Sequence, residues 1–293
     1  MGLTASDPAR IAALDRAGAW FDAGGLAAEL ERRVACATES TNPERAPELE
    51  RYLTHEIGAA VARLGFEWAL WPNPVAGAPP MLFAERRENA TAPTVLIYGH
   101  GDVVAGHDAE WGGGRSPWRL AVEGRRWYGR GTADNKGQHT INLAALARVA
   151  EARGRLGFNA KLLIEMGEEV GSPGLRAACE AHADALAADV LIASDGPRLA
   201  SSRPTIFLGS RGTFDFDLTV ALRDGAHHSG NWGGLLANPG TILANAIATL
   251  VDGRGRILVP ALRPPPIPES VRRALAPIEP GEPDGPAIDA DWG

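Results

Sequence analysis

His100 and Asp102 follow an apolar segment and could form part of a metal site. The segment is TVLIY, residues 94–98, a run typical of a buried strand. An imidazole in this position can bind a metal through one ring nitrogen while a nearby carboxylate orients the ring. The glycines around His100 also fit part of a dinucleotide-binding fingerprint, but its third glycine would fall at position 104, which is Val104. The pattern therefore favours a metal site.

Three further clusters supply carboxylates. Asp134 lies in a glycine-rich loop at the start of a predicted helix, where it could cap the helix or bridge two cations. Glu168 and Glu169 follow a predicted buried strand. Adjacent acids usually form a solvated pair, but here one carboxylate could bind a metal while its neighbour takes a proton from water. Asp195 follows another apolar run and could be either a turn residue or a ligand.

Together the four clusters place one histidine and three or four carboxylates at consecutive strand ends. In an open α/β sheet, ligands gather at the carboxyl ends of the strands. Nitrogen and oxygen donors of this kind suit zinc, manganese or cobalt, and no thiolate cluster accompanies them. Two such ions about 3.5–4 Å apart can hold a bridging hydroxide and polarise a carbonyl group. We therefore predict a centre of two divalent metal ions, with zinc as the first candidate.

The order of the predicted elements indicates an α/β catalytic domain over residues 1–209, with a mostly parallel sheet flanked by helices. Helices are predicted from Pro8, over 43–64, over 136–152 and over 173–186, and strands over 94–98, 161–166, 189–193 and 205–208. From residue 210 the pattern of polar and apolar residues changes. Alternating polar and apolar residues over 213–222 predict a half-solvated strand, and a helix over 238–251 follows. We interpret residues 210–293 as the start of an incomplete α+β lid or dimerisation domain.

Composition limits the partners that this chain can have. The formal net charge is −7, so we expect no mainly electrostatic nucleic-acid partner. No apolar run approaches the roughly 20 residues that span a bilayer, and no signal-peptide pattern is present, so we expect no membrane association. The two distant cysteines, Cys36 and Cys179, form no C-x-x-C pattern and fit thiols in a reducing compartment, which predicts a cytoplasmic protein.

The stretches YGHGDVV, GRGTADNKGQ, EMGEEVGSPG and ASDGP, in this order and spacing, resemble the M20 metallopeptidases. The resemblance implies that His100 and Asp195 hold one metal ion, that Asp134 bridges the two ions and that Glu169 binds the other. It also implies that Glu168 is the general base and that Asp102 orients His100. The function it implies is hydrolysis of the amide bond of dipeptides or related small peptides by a metal-bridging hydroxide.

A fifth stretch, His227–Gly234 (HHSGNWGG), resembles the HSG segment of this family's lid domain. In its long form, with two consecutive glycines, it looks closest to the dipeptidase branch. The resemblance implies that His228 reaches into the site of a partner subunit and stabilises the oxyanion, so a homodimer is expected. The remaining histidines match no motif position and are predicted to be structural or solvated: His55, His107, His139 and His182.

One departure from the family pattern affects these expectations. The family supplies a last metal-binding histidine from a C-terminal segment after the lid, and this chain ends within the predicted lid. We therefore expect the 293-residue chain to bind one ion well and the second weakly, with little peptidase activity. His139 and His107 are the first residues to examine as replacements for that ligand. Two alternatives stay open: an N-acyl-amino-acid deacylase of the same family, and a catalytically inactive metal-binding or interaction module. A serine hydrolase is not expected, because no G-x-S-x-G elbow is present.

Overall fold

The computed structural model describes residues 7–196, 198, 203–207, 212, 215–279 and 285–289. The chain divides into two compact units, Met1–Asp195 and Gly196–Gly293, so the division falls earlier than the boundary predicted after residue 209. The strands of the first unit are β1 (Glu67–Trp71), β2 (Met81–Arg86), β3 (Thr94–His100), β4 (Ala121–Glu123), β5 (Arg126–Tyr128), β6 (Asn159–Glu165) and β7 (Val190–Ala193).

The helices of the first unit precede, separate and follow these strands along the chain. They are α1 (Pro8–Asp22), α2 (Gly25–Val34), α3 (Ala46–Arg51), α4 (Ala59–Arg63), α5 (Lys136–Arg153), α6 (Leu175–Ala181) and α7 (Ala183–Leu186). Short 3-10 turns cover Pro43–Arg45, Asp108–Glu110 and Glu168–Val170, and a π-helical segment, Tyr52–Gly58, joins α3 to α4. Asp7 caps α1 by accepting a hydrogen bond from the Ala9 backbone N–H at 2.8 Å, as the Asp-Pro pair predicted.

The main sheet has five strands in the order β1-β2-β6-β3-β7. β3 pairs in parallel with β6 on one side and with β7 on the other, whereas β2 is antiparallel to both β1 and β6. The predicted α/β fold is confirmed, and the sheet is mixed because the antiparallel β1 and β2 extend its parallel half. The three parallel strands are those whose ends carry the predicted ligands, so these ends meet at one edge.

The hydrophobic core explains why β6 lies inside the sheet. All seven residues of β6 are buried, as expected for a strand covered on both faces. Leu162 and Ile164 of this strand pack in one cluster with Leu53 and Ile57 of the π-helical segment and with Leu143 of α5. The core therefore packs α5 and the π-helical segment against the sheet, next to the ends of the strands that carry the predicted ligands.

Several predicted elements have different bounds in the structure. The helix predicted over 43–64 is one helical segment of mixed geometry, with α, π and 3-10 turns. The helix predicted over 173–186 is interrupted at His182, whose φ of −115° leaves the helical region and whose ring stacks on Trp71 at 3.9 Å between centroids. The predictions for β3, α5, β6 and β7 were correct to within a few residues.

The two strands predicted beyond β7 were wrong for the residues that the structure describes. Residues 205–207 and 215–222 have no strand conformation, while 208, 213 and 214 lie outside the described residues. An alternating segment becomes a strand only when a neighbour pairs with its backbone and its apolar side chains are buried. Here Ile206 is 86% exposed and Phe216 is 54% exposed, so that burial is missing.

The described part of the second unit is mainly helical. It contains α8 (Ser229–Trp232), α9 (Pro239–Leu250), a 3-10 turn at Pro260–Leu262 and α10 (Glu269–Leu275). Asn238 caps α9 through bonds to the backbone N–H groups of Gly240 and Thr241, which confirms the helix predicted over 238–251. Within the described ranges, no helix has the length and apolar character needed to span a membrane.

Candidate metal centre

His100 lies at the middle of the site. It is the last residue of β3, and its side chain is completely buried. β6 and β7 flank β3, so the Glu168–Glu169 turn after β6 and Asp195 after β7 come to the two sides of His100. Asp134 reaches the same place from the loop before α5. The structure thus brings together all of the predicted metal ligands and the two predicted catalytic acids.

The two nitrogens of the His100 ring face different partners. Nε2 lies 3.0 Å from Oδ1 of Asp134 and 3.7 Å from Oδ1 of Asp195. It also lies 4.0 Å from Oε2 of Glu168. Nδ1 lies 3.1 Å from the backbone oxygen of Asp102 and 3.3 Å from its carboxylate. Asp102 therefore orients the ring from behind, and Nε2 faces the carboxylates.

The electrostatics of this arrangement favour a positive charge at Nε2. Burial alone would lower the pKa of His100, but hydrogen bonds to Asp102, Asp134 and Asp195 outweigh it and raise the pKa to about 12. The hydrogen bond from His100 in turn holds the pKa of Asp134 below its usual range. A divalent cation bound at Nε2 would compensate the charge of these carboxylates.

Two groups of side chains could each hold an ion. One comprises His100, Glu168 and Asp195, and the other comprises His100, Asp134 and Glu169, with their ligand atoms within 4.8 Å of one another in each group. One imidazole with several carboxylates is a donor set suited to zinc or manganese. These residues therefore fit a divalent metal ion. Both glutamates belong to these groups, so the division between base and ligand remains a prediction.

Asp102 also fixes the turn that carries the two glutamates. This carboxylate, completely buried, accepts hydrogen bonds from the backbone N–H of Glu168 at 3.2 Å and of Glu169 at 3.1 Å. Burial raises the pKa of Glu168 and of Glu169 above the usual value, and neighbouring carboxylates add to this effect. A raised pKa brings a carboxylate closer to the operating range of a general base. One buried acid thus links the histidine to both glutamates.

Asp134 does not cap α5. The cap position is Asn135, which makes no side-chain capping bond, and the Asp134 side chain is 66% exposed and directed to His100. The peptide bond between Asp134 and Asn135 is cis. The alternative that Asp134 serves as a helix cap is therefore wrong.

The motif that contains Asp134 also holds a buried lysine that sequence reasoning did not single out. Lys136 is completely buried, and its Nζ donates to the backbone oxygens of Arg33 at 3.0 Å and of Cys36 at 2.6 Å. Burial lowers the pKa of Lys136 to about 7. This amine ties the start of α5 to the carbonyls at the end of α2, so it fixes the helix next to Asp134.

The histidines outside the first motif lie in different environments. His228, in the second unit, caps α8 by accepting a hydrogen bond from the Gly230 backbone N–H at 3.1 Å, and its proposed role in another subunit stays a prediction. His107 is exposed and pairs with Glu110 at 3.2 Å. His139 is completely buried, in agreement with a structural role. Neither His107 nor His139 belongs to the two ligand groups found among the described residues.

Comparison with known proteins gives consistent matches. The sequence profile of Peptidase family M20/M25/M40 matches residues 96–279. The Beta-Ala-His dipeptidase of Homo sapiens is 35% identical over 188 residues, which cover 63% of this chain and 36% of the relative. The Cysteinylglycine-S-conjugate dipeptidase of Corynebacterium striatum is 30% identical over 238 residues, which cover 79% of this chain and 50% of the relative.

The fold has a counterpart among solved structures. The crystal structure of human carnosine dipeptidase 1 aligns with a TM-score of 0.72 and 27% sequence identity, covering 91% of this chain and 59% of that chain. The chain spans 36% and 50% of the lengths of the two curated relatives above.

Proposed function

Because this chain belongs to peptidase family M20/M25/M40, as its motifs predicted, we propose that it is part of a metal-dependent hydrolase of dipeptides or related small peptides. The relatives named above are dipeptidases, which supports this substrate class. We propose two divalent ions, with zinc as the first candidate and manganese or cobalt as alternatives.

The observation that carries the proposal is the set of ligand atoms around His100. Nε2 of His100 lies 3.0 Å from the carboxylate of Asp134, in the loop before α5, and 3.7 Å from the carboxylate of Asp195, after β7. Such a concentration of negative charge around a buried histidine is costly unless a cation is present. A purely structural role would not require so many carboxylates around one histidine.

We assign each side chain a task that follows from its position. His100 and Asp195 would hold one ion, Asp134 would be a ligand of both ions, and Glu169 would hold the second. When bound, the ions supply Lewis acidity toward the scissile carbonyl group and lower the pKa of water. Asp102 keeps the His100 ring and the glutamate turn in place.

Glu168 is the proposed general base. Its side chain is 38% exposed, so water and substrate can reach it, and burial raises its pKa. Its carboxylate takes a proton from the attacking water and then delivers that proton to the leaving nitrogen, which becomes a neutral amine. Glu169 lies beside it but is assigned to the metal.

Two further proposals concern assembly and location. We propose that the complete protein is a homodimer in which His228 stabilises the oxyanion in the partner's site; the support is the HSG segment in a unit separate from that of the metal ligands. We also propose a cytoplasmic location, supported by the two cysteines, which are free thiols.

The test compares three substitutions in the complete protein, with metal content and dipeptide hydrolysis measured on each. We expect Glu168→Gln to retain the metal and to lose roughly 10²–10⁴-fold in turnover, the scale of general acid–base catalysis. Glu169→Gln should lose metal as well as turnover. Glu180→Gln, at an exposed glutamate paired with Arg176 on α6, is the control and should change neither.

The substrate panel separates the alternatives. Dipeptides, including β-Ala-His and Cys-Gly, are assayed beside N-acyl amino acids, with and without a chelator. Chelator-sensitive hydrolysis of dipeptides is the expected result. Turnover of N-acyl amino acids alone would indicate a deacylase, and metal binding without either activity would indicate a binding module.

A further inference from the structure

A row of three buried polar side chains leads from the core to the metal centre. Tyr52 Oη lies 2.6 Å from Nε2 of His139, and Nδ1 of His139 lies 3.3 Å from Oδ1 of Asn135. Nδ2 of Asn135 then donates to Oδ1 of Asp195 at 2.8 Å and to the backbone oxygen of Ser194 at 2.6 Å. Tyr52, His139 and Asn135 all have no exposed surface. The bond from Asn135 to Asp195 joins residues 60 positions apart in the chain, and the bond between Tyr52 and His139 joins residues 87 positions apart.

The direction of every hydrogen bond in this row follows from the last one. Asp195 and the Ser194 carbonyl are acceptors, so the amide nitrogen of Asn135 must face them and its oxygen must face His139. That oxygen only accepts, so Nδ1 of His139 carries the proton. Nε2 is then the acceptor, and the Tyr52 hydroxyl donates to it. The bonds therefore run one way, from Tyr52 through His139 and Asn135 to Asp195.

The ionisation states of the row agree with this direction. Burial, together with nearby positive charges, holds the pKa of His139 well below its usual range, so the ring is neutral and can accept at one nitrogen while donating at the other. Burial also raises the pKa of Tyr52, so its hydroxyl keeps the proton that it donates. Neutral groups in a dry interior polarise one another and hold a fixed orientation.

The two glycines beside His100 provide the space for this row. A Cβ at Gly99 would lie 2.8 Å from Oδ1 of Asn135, and a Cβ at Gly101 would lie 2.6 Å from the ring of Tyr52. Any larger residue would push the row away from β3. The Gly-His-Gly sequence thus lets the first and third members of the row pack beside the strand that carries His100.

We propose that Tyr52 and His139 are positioning residues, which hold the Asp195 carboxylate in its metal-binding orientation through Asn135. The inference rests on the proposed role of Asp195 as a metal ligand. It adds to that role a specific tautomer of His139 and a dependence of metal affinity on two residues outside the proposed ligand set. Partners of this kind orient ligands and tune their affinity.

The experiment titrates zinc alone into the metal-free 293-residue chain and its variants by calorimetry. His139→Leu, which removes both ring nitrogens, should weaken zinc binding by up to roughly 10-fold, the lower end of the range for direct partners of a metal ligand, because His139 acts through Asn135. His139→Asn offers an amide donor near the position of Nδ1 and should recover part of the loss. The control is Leu143→Ala, one turn further along α5, which opens a cavity in the core and removes no hydrogen bond of the row.

A second arm does not depend on metal at all. Nitrogen NMR of the histidine rings, assigned by comparison with His139→Asn, should show His139 protonated at Nδ1 and neutral. Tyr52→Phe removes one hydroxyl and keeps the ring, so it serves if the His139 variants do not fold. It should retain the Nδ1–H tautomer and weaken zinc binding by a smaller factor than His139→Leu. An Nε2–H tautomer in the unaltered protein would overturn the proposed direction.

Asp195→Ala distinguishes failure of this inference from failure of the proposed function. If Asp195→Ala weakens zinc binding while His139→Leu and Tyr52→Phe do not, the positioning role is wrong and the ligand assignment stands. If Asp195→Ala leaves zinc binding unchanged, the ligand assignment is wrong and the positioning role falls with it. In the double variant, His139→Leu should add nothing to Asp195→Ala; an undiminished effect would show that His139 acts by another route.

Discussion

Replacing Asp102 by asparagine keeps the shape of a completely buried side chain but removes its charge and turns one acceptor oxygen into a donor. In the structure, the two oxygens of Asp102 accept from the backbone N–H groups of Glu168 at 3.2 Å and of Glu169 at 3.1 Å. The amide of asparagine can accept only one of these bonds. The other backbone N–H then faces an amide N–H₂ group, so the turn that carries both glutamates loses one of its two hydrogen bonds to residue 102.

The expected loss of stability can be estimated from that one hydrogen bond. A hydrogen bond to a charged group contributes about 1.5–3 kcal/mol to the free energy of unfolding. For a unit of this size, 1 kcal/mol corresponds to about 2–4 °C in Tm, so Asp102→Asn should lower the Tm by roughly 3–12 °C. Removing the negative charge of Asp102 should also lower the pKa of His100, because the hydrogen bond and charge of Asp102 both raise it.

The assay is thermal unfolding followed by circular dichroism in the presence of a chelator, so that lost metal cannot account for a change in Tm. Asp184→Asn, at an exposed position on α7 in the same unit, is the matched control and should shift the unfolding free energy by less than about 0.5 kcal/mol. A Tm for Asp102→Asn that equals that of the control would refute the reasoning, since it would mean that the carboxylate does not hold the glutamate turn.

Three further predictions concern the metal centre. Asp134→Ala should weaken the binding of both ions in the complete protein, because one carboxylate is proposed to bind both. If metal analysis of this variant still finds two tightly bound ions, the bridging role is wrong. The carboxylates around His100 raise its pKa to about 12, whereas the nitrogen that binds a metal ion must carry no proton. Affinity should therefore rise with pH, with release of about one proton per ion bound to His100, measured by calorimetry in buffers of different ionisation enthalpy; heats that do not depend on the buffer would contradict this. Mixing inactive Glu168→Gln and His228→Ala subunits should restore some dipeptidase activity, since a hybrid dimer carries one intact composite site; no recovery under demonstrated subunit exchange would count against the composite site.

That His100, Glu168, Glu169 and Asp195 lie close together was predictable, because each of them follows a local signal. TVLIY, KLLIEM and DVLIA are short apolar runs that predict buried strands, and a ligand-type residue follows each of them. Because the carboxyl ends of strands in such sheets face one crevice, proximity of these residues follows from the class of fold. The motifs also indicated the family, which the match over residues 96–279 bears out.

The antiparallel half of the sheet was not predicted. β1 and β2 have the sequences EWALW and MLFAER, which mix charged, aromatic and aliphatic residues over five or six positions. Their strand conformation depends on the ladder from β1 through β2 to β6, and such pairing is not visible within a short window. The same dependence explains the opposite error at 215–222, where a good alternating pattern has no strand conformation.

The sequence by itself determined the candidate ligands: the types of side chain, their order along the chain and their places at or after the ends of β3, β6 and β7 or, for Asp134, in the loop before α5. Only the tertiary structure decided how those ligands are held. The bonds from Asp102 to the glutamate turn span 66 and 67 positions, and the link from Tyr52 to His139 spans 87. Local propensities act over a few residues, whereas a buried polar side chain is satisfied by whichever distant group the packing of the core brings within hydrogen-bond reach. For that reason His139, which matches no motif in the sequence, lies two hydrogen bonds away from a proposed metal ligand.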